Sequence, residues 1–206
     1  GDKTTLNLSY ESLDHERYID RGIPTAGGSP VESLAGITFG SKEDNRSTLD
    51  ANTTKLSIDH QLDYQSKIRF NYTDNDFAKM YQNLYASDYN PSTNTVDLTG
   101  YRDTTDRSSE IFSIDFIGKK EIKGLSHKFV LGLEKIKTNN NNERFYMDTD
   151  GSPSANRKGE KLTNIAVNDP LDLSSYSYNF TTEHYDQTEA SLDVTSIYFS
   201  DEIALS

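Results

Sequence analysis

The residue types that most often carry out chemistry are present in this sequence, but their spacing forms no recognisable catalytic site. The adjacent carboxylates Asp201 and Glu202 point to opposite sides of a strand, so they cannot act together on one bond. The chain has four histidines, which are His15, His60, His127 and His184. Their separations match no metal-binding motif such as HExxH. Without a Ser/His/Asp arrangement or a glycine-rich phosphate loop, the sequence predicts that the protein is not an enzyme.

The sequence also predicts no metal site and no cofactor. It contains no cysteine, which excludes thiolate chemistry, cysteine-based metal sites and disulfides. The segment DTDGS at Asp148–Ser152 is similar to the start of a calcium loop, but it lacks the later acidic positions of an EF-hand. A plain turn is therefore the prediction for this segment.

Charge and composition narrow the possible partners. The chain of 206 residues has 21 Lys and Arg against 33 Asp and Glu, a formal net charge of -12, and its basic residues do not cluster along the sequence. A nucleic-acid partner is therefore not expected. Only 33% of the residues are hydrophobic, yet the 13 Tyr and 9 Phe argue against a purely solvated chain. The fold must therefore account for a low hydrophobic content together with many aromatic residues.

Short alternating runs predict about six β-strands. They are TLNLSYE (5–11), TKLSIDHQL (54–62), KIRFNYT (67–73), EIFSIDFIG (110–118), HKFVLGLEKIK (127–137) and SLDVTSIYFSDEIALS (191–206). In each run, apolar side chains occupy one side and polar side chains the other. In the last run the apolar residues change sides, which predicts a β-bulge near Thr195 or Ser196.

The connections between these runs alternate between long and short, at about 40, three, 30, eight and 50 residues. This rhythm is typical of outer-membrane barrels, which have short periplasmic turns and long extracellular loops. A wet lumen would also explain the low hydrophobic content, because each strand then needs apolar residues on its lipid side only. The polar sides carry charges that suit such a lumen: Lys55, Asp59, Lys67, Arg69 and Asp115.

Two soluble β-proteins are the alternatives. A secreted β-sandwich, such as an adhesin or a carbohydrate-binding module, would bury the same apolar rows in a dry core between two layers. A β-sheet glycoside hydrolase would need two carboxylates about 5 to 10 Å apart in one cleft.

Several stretches resemble the TonB-dependent outer-membrane receptors for ferric siderophores, in particular the catecholate type. They are DRGIPTAGGSPV with DNRSTLDANT further on, MYQNLY, HKFVLGLE, and NDPL followed by SIYFSDEIALS. The resemblance implies an all-β antiparallel meander within a barrel of about 22 strands. It also implies a location in the bacterial outer membrane, in contact with its lipid. The function it implies is binding of ferric siderophore by extracellular loops, followed by TonB-coupled active import.

With about six strands, residues 1–206 are expected to form a fragment of such a barrel domain, without its plug domain and C-terminal strands. The TonB complex would then act through the missing plug. The segment YIDRGIPTAGGSP (18–30) is expected to be a long extracellular loop. Because ferric catecholates are anionic and aromatic, the resemblance makes Arg and Tyr residues near the loops the candidate ligand contacts. They are Arg17, Tyr18, Arg21, Tyr81, Tyr85, Tyr89, Tyr101, Arg102, Arg144 and Tyr146.

Overall fold

A computed structural model describes residues 3–150 and 159–204. The strands are β1 (Thr4–Tyr18), β2 (Thr25–Ala26), β3 (Ser29–Pro30), β4 (Arg46–Gln61), β5 (Ser66–Asn90), β6 (Thr95–Ile122), β7 (Leu125–Asp148), β8 (Leu162–Ala166), β9 (Asn179–Phe180) and β10 (Asp186–Ala204), and one turn of 3₁₀ helix spans Glu32–Leu34. Within these residues, no helix has the length and apolar character needed to cross a bilayer.

The six long strands form one antiparallel sheet in the order β1-β4-β5-β6-β7-β10, which curls into a half-barrel. Each long strand pairs with its neighbour in sequence, so the predicted meander is confirmed. The short strands β8 and β9 add to β6 and β7, and β2 and β3 form a separate hairpin. At the two ends of the sheet, β1 and β10 each pair on one side only within the described residues.

One face of the sheet, here called the apolar face, carries rows of exposed hydrophobic side chains. Leu8 is 68% exposed, Phe199 67% and Ile197 77%. Strand register aligns such residues across the sheet, for example Ile114 of β6 with Leu133 of β7. A β-sandwich would cover these rows with a second layer, and the described residues provide no such layer. The rows have the exposure that contact with lipid requires.

The opposite face, here called the polar face, is crossed by ion pairs and hydrogen bonds at the same level. Asp59 accepts from Lys67 Nζ at 2.9 Å and from Arg69 at 2.7 and 2.8 Å. Tyr198 donates a hydrogen bond to Asp115 across the intervening strand. Charged groups of this kind are stable beside water and unfavourable in a closed apolar core, so the predicted division of the two faces is confirmed.

The strands are longer than the sequence pattern predicts. The connection of about 30 residues before Glu110 is not a loop, because β5 and β6 continue as a paired hairpin to a tight turn after Asn90. Likewise β7 continues to Asp148, and the connection before it is a two-residue turn at Lys123 and Gly124, both with positive φ. In these extensions most positions on both faces are polar, and apolar alternation is limited to short pairs such as Val96 and Leu98, which do not predict a long strand.

The predicted bulge near Thr195 is wrong. β10 pairs with β7 in unbroken register from Asp186 to Ala204, so the earlier apolar residues Leu192 and Val194 lie on the polar face. Among the described residues, the register shifts instead in β5, between Ala86 and Asp88, and where β8 pairs with β6, between Val96 and Leu98.

The loops after β1 and β7 fold back onto the extended hairpins and build a small core there. On its sheet side this core contains Leu84, Leu98 and Met147, all on the apolar face. On its loop side it contains Leu34, Phe39, Leu162, Ile165, Val167 and Phe180. The buried hydrophobic side chains therefore hold the loops in place at one end of the sheet and leave the lipid-type rows uncovered.

Candidate functional site

The candidate site lies on the polar face, where β5, β6 and β7 extend past the apolar rows. Tyr81 and Tyr85 of β5, Tyr101 of β6 and Arg144 of β7 share this face, because the register pairs Tyr81 with Asp103 and Asp103 with Arg144. Positions two residues apart on neighbouring strands are within reach of long side chains. The two hairpins thus bring aromatic rings and a guanidinium from three strands together.

A fourth segment contributes Arg21, from the loop after β1. Its Nη1 donates a hydrogen bond of 2.7 Å to the Tyr101 hydroxyl and one of 3.3 Å to Asn83 Oδ1. Its Cζ lies 4.6 Å from the centre of the Tyr85 ring and 5.7 Å from that of Tyr101. Tyr81 stacks on Tyr101 with 6.1 Å between ring centres. We call Arg21, Tyr81, Tyr85, Tyr101 and Arg144 the aromatic–arginine cluster.

Arg144 and Arg21 differ in how their charge is balanced. Arg144 lies 4.4 Å from the centre of the Tyr101 ring and makes two hydrogen bonds of 2.6 Å to the Asp103 carboxylate. These bonds raise the pKa of Arg144 and offset its charge. Arg21 belongs to no ion pair with the described residues, and its side chain bonds to neutral groups only. The uncompensated positive charge of the cluster is therefore that of Arg21.

Asn45 fixes the loop that carries Arg21. Its buried side chain accepts from the backbone N–H of Leu84 at 2.8 Å and donates to the Leu84 carbonyl at 2.9 Å and to the Ile19 carbonyl at 3.3 Å. The side-chain amide thereby pairs with both backbone groups of Leu84, as the backbone of a neighbouring strand would. Ile19 lies two residues before Arg21, so these bonds limit where the guanidinium can lie. Phe39, fully buried in the loop core, holds the same loop from the other side.

The other candidates lie apart from the cluster or at its margin. Arg102 points to the apolar face, with its Cζ 4.5 Å from the Phe145 ring centre, and burial lowers its pKa. Tyr89 donates to Asn94 Oδ1 at the tip of the β5–β6 hairpin and packs against the loop core. Tyr146 lies on the polar face beside Tyr101. Arg17 and Tyr18 end β1, on the polar and the apolar side respectively.

Sequence reasoning missed three residues of this site. Asn83 and Asp103 hold the two arginines of the cluster, and Tyr185 packs edge-on against Tyr146 with 5.2 Å between ring centres. Asp103 could have been found from its spacing, since it follows Tyr101 by two residues and shares its face. That signal is usable only once the segment is known to be a strand.

A group of carboxylates near the end of β7 could hold a cation. One oxygen each from Asp148, Asp150 and Glu160 lies within 4.8 Å of the others. Glu160 also accepts a hydrogen bond of 2.7 Å from the backbone N–H of Thr149. The sequence predicts a plain turn for this region, and the final two residues of the DTDGS segment lie outside the described residues. Within the described part of the chain, the four histidines join no such group.

No protein-family model matches this chain, and a search of the curated proteins found no match either. Two solved structures have a similar fold. The siderophore receptor PiuA from Acinetobacter baumannii aligns with a TM-score of 0.66 and 18% identity over 99% of this chain and 31% of its own. The Ferric-Catecholate import receptor Fiu from K12 E. coli aligns with a TM-score of 0.68 and 14% identity over 99% of this chain and 30% of its own. The chain spans about a third of the length of either receptor and has the fold of that section of their barrels.

Proposed function

We propose that this chain is a section of an outer-membrane receptor that binds a ferric siderophore of the catecholate class and imports it by TonB-coupled transport. The observation that carries the proposal is the aromatic–arginine cluster at the loop end of the polar face. The similarity of fold to two siderophore receptors supports the same assignment.

The chemistry of the cluster suits such a ligand. A ferric catecholate carries negative charge on a complex whose surface is made of aromatic rings. The exposed guanidinium of Arg21 supplies charge and a flat stacking surface, and Tyr81, Tyr85 and Tyr101 supply further rings. Asp103 already balances Arg144, so we assign the main electrostatic contact to Arg21. Binding and transport need no chemical change of the ligand, and we propose that the protein is not an enzyme.

The open sheet edges support the proposal that the section belongs to a larger barrel. A lipid-exposed strand with unpaired backbone groups is strongly unfavourable, because the bilayer core offers no hydrogen-bond partners. β1 and β10 each pair on one side only among the described residues. We propose that further strands of the same receptor pair with them and that its plug domain contacts TonB. The apolar face would then contact the lipid of the bacterial outer membrane.

The proposal is tested on the full-length receptor in intact cells, with a ferric triscatecholate labelled with radioactive iron as the probe. Arg21→Gln is expected to weaken binding about tenfold, the effect of losing one stacked, partly desolvated cation. Arg46→Gln is the matched control, because it removes an exposed arginine from the opposite face. Arg21→Lys should restore part of the affinity. Wild-type cells that bind no probe, or equal affinities for the Arg21→Gln and Arg46→Gln receptors, would contradict the proposal.

A further inference from the structure

The apolar face carries opposite charge beyond the two ends of its apolar rows. Towards the loops the strands place many carboxylates on this face, which are Asp14, Glu16, Asp50, Asp74, Asp76, Asp106, Glu110, Glu143, Glu189 and Asp193. We call the opposite end, where the short turns lie, the turn end. Within the described strands, the only carboxylate on the apolar face at the turn end is Asp201, which accepts a hydrogen bond of 2.8 Å from His127.

Two lysines at the turn end have no fixed partner. Lys120 lies on the apolar face of β6, where it pairs in register with His127, and Lys123 lies in the tight turn that follows. Both side chains are exposed, and neither belongs to an ion pair with the described residues. Glu121, between them, pairs with Ser126 and lies on the polar face. We call Lys120 and Lys123 the turn lysines.

The strand length places the turn lysines at the boundary between hydrocarbon and headgroups. On β6 the apolar face is apolar from Phe112 to Ile122, about eleven residues, which is the length of one tilted crossing. Lys123 follows directly and therefore lies at the edge of the hydrocarbon. Lys120 lies about 10 Å further in along the strand, or about 7 Å along the membrane normal at a tilt of about 45°. A lysine side chain can extend over such a depth towards the headgroups.

The surroundings of the turn lysines have the mixed character of a membrane interface. Ile122 is 45% exposed on the apolar face, and Leu62 is 41% and Tyr64 90% exposed in and beside the neighbouring turn between β4 and β5. The two turns lie side by side, because the Lys119 N–H donates a hydrogen bond of 2.9 Å to the Gln65 carbonyl. Exposed aromatic and aliphatic side chains next to lysines suit the level of the glycerol and phosphate groups of a lipid.

We infer that Lys120 and Lys123 bind the phosphate group of an anionic phospholipid, of the phosphatidylglycerol type, in the leaflet at the turn end. The inference rests on the proposed contact between the apolar face and lipid, and it adds a lipid class and a position. Its physical basis is charge complementarity, since each lysine near an anionic lipid surface adds attraction. The carboxylates at the loop end of the same face repel such lipids, so the preference for the anionic headgroup is confined to the turn end.

The test uses the full-length receptor in nanodiscs of phosphatidylcholine that contain a small amount of a photoreactive lipid. The probes are phosphatidylglycerol and phosphatidylcholine with the same diazirine near the glycerol, and crosslinks are mapped by mass spectrometry of pepsin fragments. At low salt, phosphatidylglycerol is expected to label residues 119–128 about fivefold more than phosphatidylcholine. The excess should shrink at high salt. Lys120→Gln/Lys123→Gln should remove it, and Lys120→Arg/Lys123→Arg should keep it.

Lys119→Gln/Lys128→Gln is the matched control. It also removes two exposed positive charges at the turn end, but Lys119 and Lys128 pair with each other in register on the polar face. The excess of phosphatidylglycerol labelling should change less than twofold in this variant. Binding of ferric triscatecholate should be the same in all variants, so it reports separately on the proposed ligand. The amount of heat-modifiable folded receptor must match before the labelling is compared.

Each outcome has a defined meaning. A salt-sensitive excess that is lost only in the Lys120→Gln/Lys123→Gln receptor supports the lipid position. Equal labelling of residues 119–128 by the two probes overturns the inference, and labelling of the peptide that contains Leu131 by both probes then leaves the lipid contact of the apolar face standing. If neither probe labels that peptide, the lipid contact and the inference fail together. An equal loss in the two double variants would show a general effect of charge and would also overturn the inference.

Discussion

The guanidinium of Arg21 donates a 2.7 Å hydrogen bond to the hydroxyl of Tyr101, a residue 80 positions further along the chain. The start of the loop after β1 therefore extends past the end of β4 and over β5, and the Arg21 side chain reaches β6, the third long strand from β1. The contact joins the part of the chain that carries the free positive charge to the part that carries the aromatic rings. The aromatic–arginine cluster is therefore complete only when the loop after β1 is ordered.

Asn45 is expected to be the residue on which that order depends most. Asn45→Asp would keep the shape of the side chain but lose the two N–H donors to Leu84 and Ile19 and bury a charge, at a cost of about 3 kcal/mol. Protease cleavage between residues 19 and 45 of the full-length receptor should then become about 100-fold faster. Asn52→Asp is the control, since this exposed residue only accepts a hydrogen bond from Tyr10. Equal cleavage of the two variants would contradict the role of Asn45.

The contact between the two long loops is expected to depend on pH. The Tyr178 hydroxyl donates a 2.6 Å hydrogen bond to Asp44, and burial together with this bond raises the pKa of Tyr178 to about 12 from 10.0. Because the folded state favours the protonated tyrosine, the contact contributes fully below pH 10.0, and its contribution is lost as the pH rises through about 12. Ultraviolet titration of tyrosinate should show a step near pH 12.

Two variants identify the group that titrates. Tyr178→Phe should lower the amplitude of the step near pH 12 by the absorbance of one tyrosinate, whereas Tyr64→Phe, which changes a tyrosine that is 90% exposed in the turn between β4 and β5, should leave the amplitude unchanged. An amplitude near pH 12 that is the same in the Tyr178→Phe protein as in the wild type would contradict the raised pKa of Tyr178.

The sequence predicts well the part of the fold that carries the apolar rows, and the reason is physical. One face of these strands is apolar and the other is polar, so the alternation around Leu8, Ile114 and Phe199 marks each strand. In the strand extensions beyond these rows most positions on both faces are polar, and the few apolar ones, such as Leu84 and Leu98, pack against the loops, so alternation does not mark a long strand. The strand extensions and the tight turn after Asn90 were therefore predicted as loop.

The sequence predicts which residue types form the site, but it does not predict which of these residues lie together. Tyr101 and Arg102 are neighbours in sequence and were candidates of equal standing, yet they point to opposite faces of β6. Only the strand assignment separates them. The position of Arg21 depends on how a loop of more than twenty residues folds, and no local pattern in the sequence specifies its contact with Asn83.

Gly132 is expected to be required for the hydrogen bond between Tyr198 and Asp115. It lies between these two residues in register, and the ring of Tyr198 passes over it. A Cβ at this position would collide with that ring and with Asp115 Oδ1, so Gly132→Ala should destabilise the barrel by about 2 kcal/mol. Urea unfolding of the receptor in lipid vesicles measures the loss. Adding Tyr198→Ala to Gly132→Ala should cost less than the sum of the two single changes. Additive effects would show that the ring and the glycine do not interact.

A pair of adjacent residues on β7 tests which face meets lipid. Leu131 belongs to the apolar rows and is 49% exposed, whereas Val130 faces the polar side. Leu131 lies six residues from the turn, about 20 Å along the strand, which places it near the middle of a tilted crossing. Leu131→Lys should therefore destabilise the inserted barrel by about 2–4 kcal/mol, because lipid cannot solvate the ammonium group. Val130→Lys should be tolerated, since water and the polar side chains of β6 and β10 can solvate it. The amount of heat-modifiable folded receptor in outer-membrane fractions compares the two, and greater damage from Val130→Lys would mean that the faces are reversed.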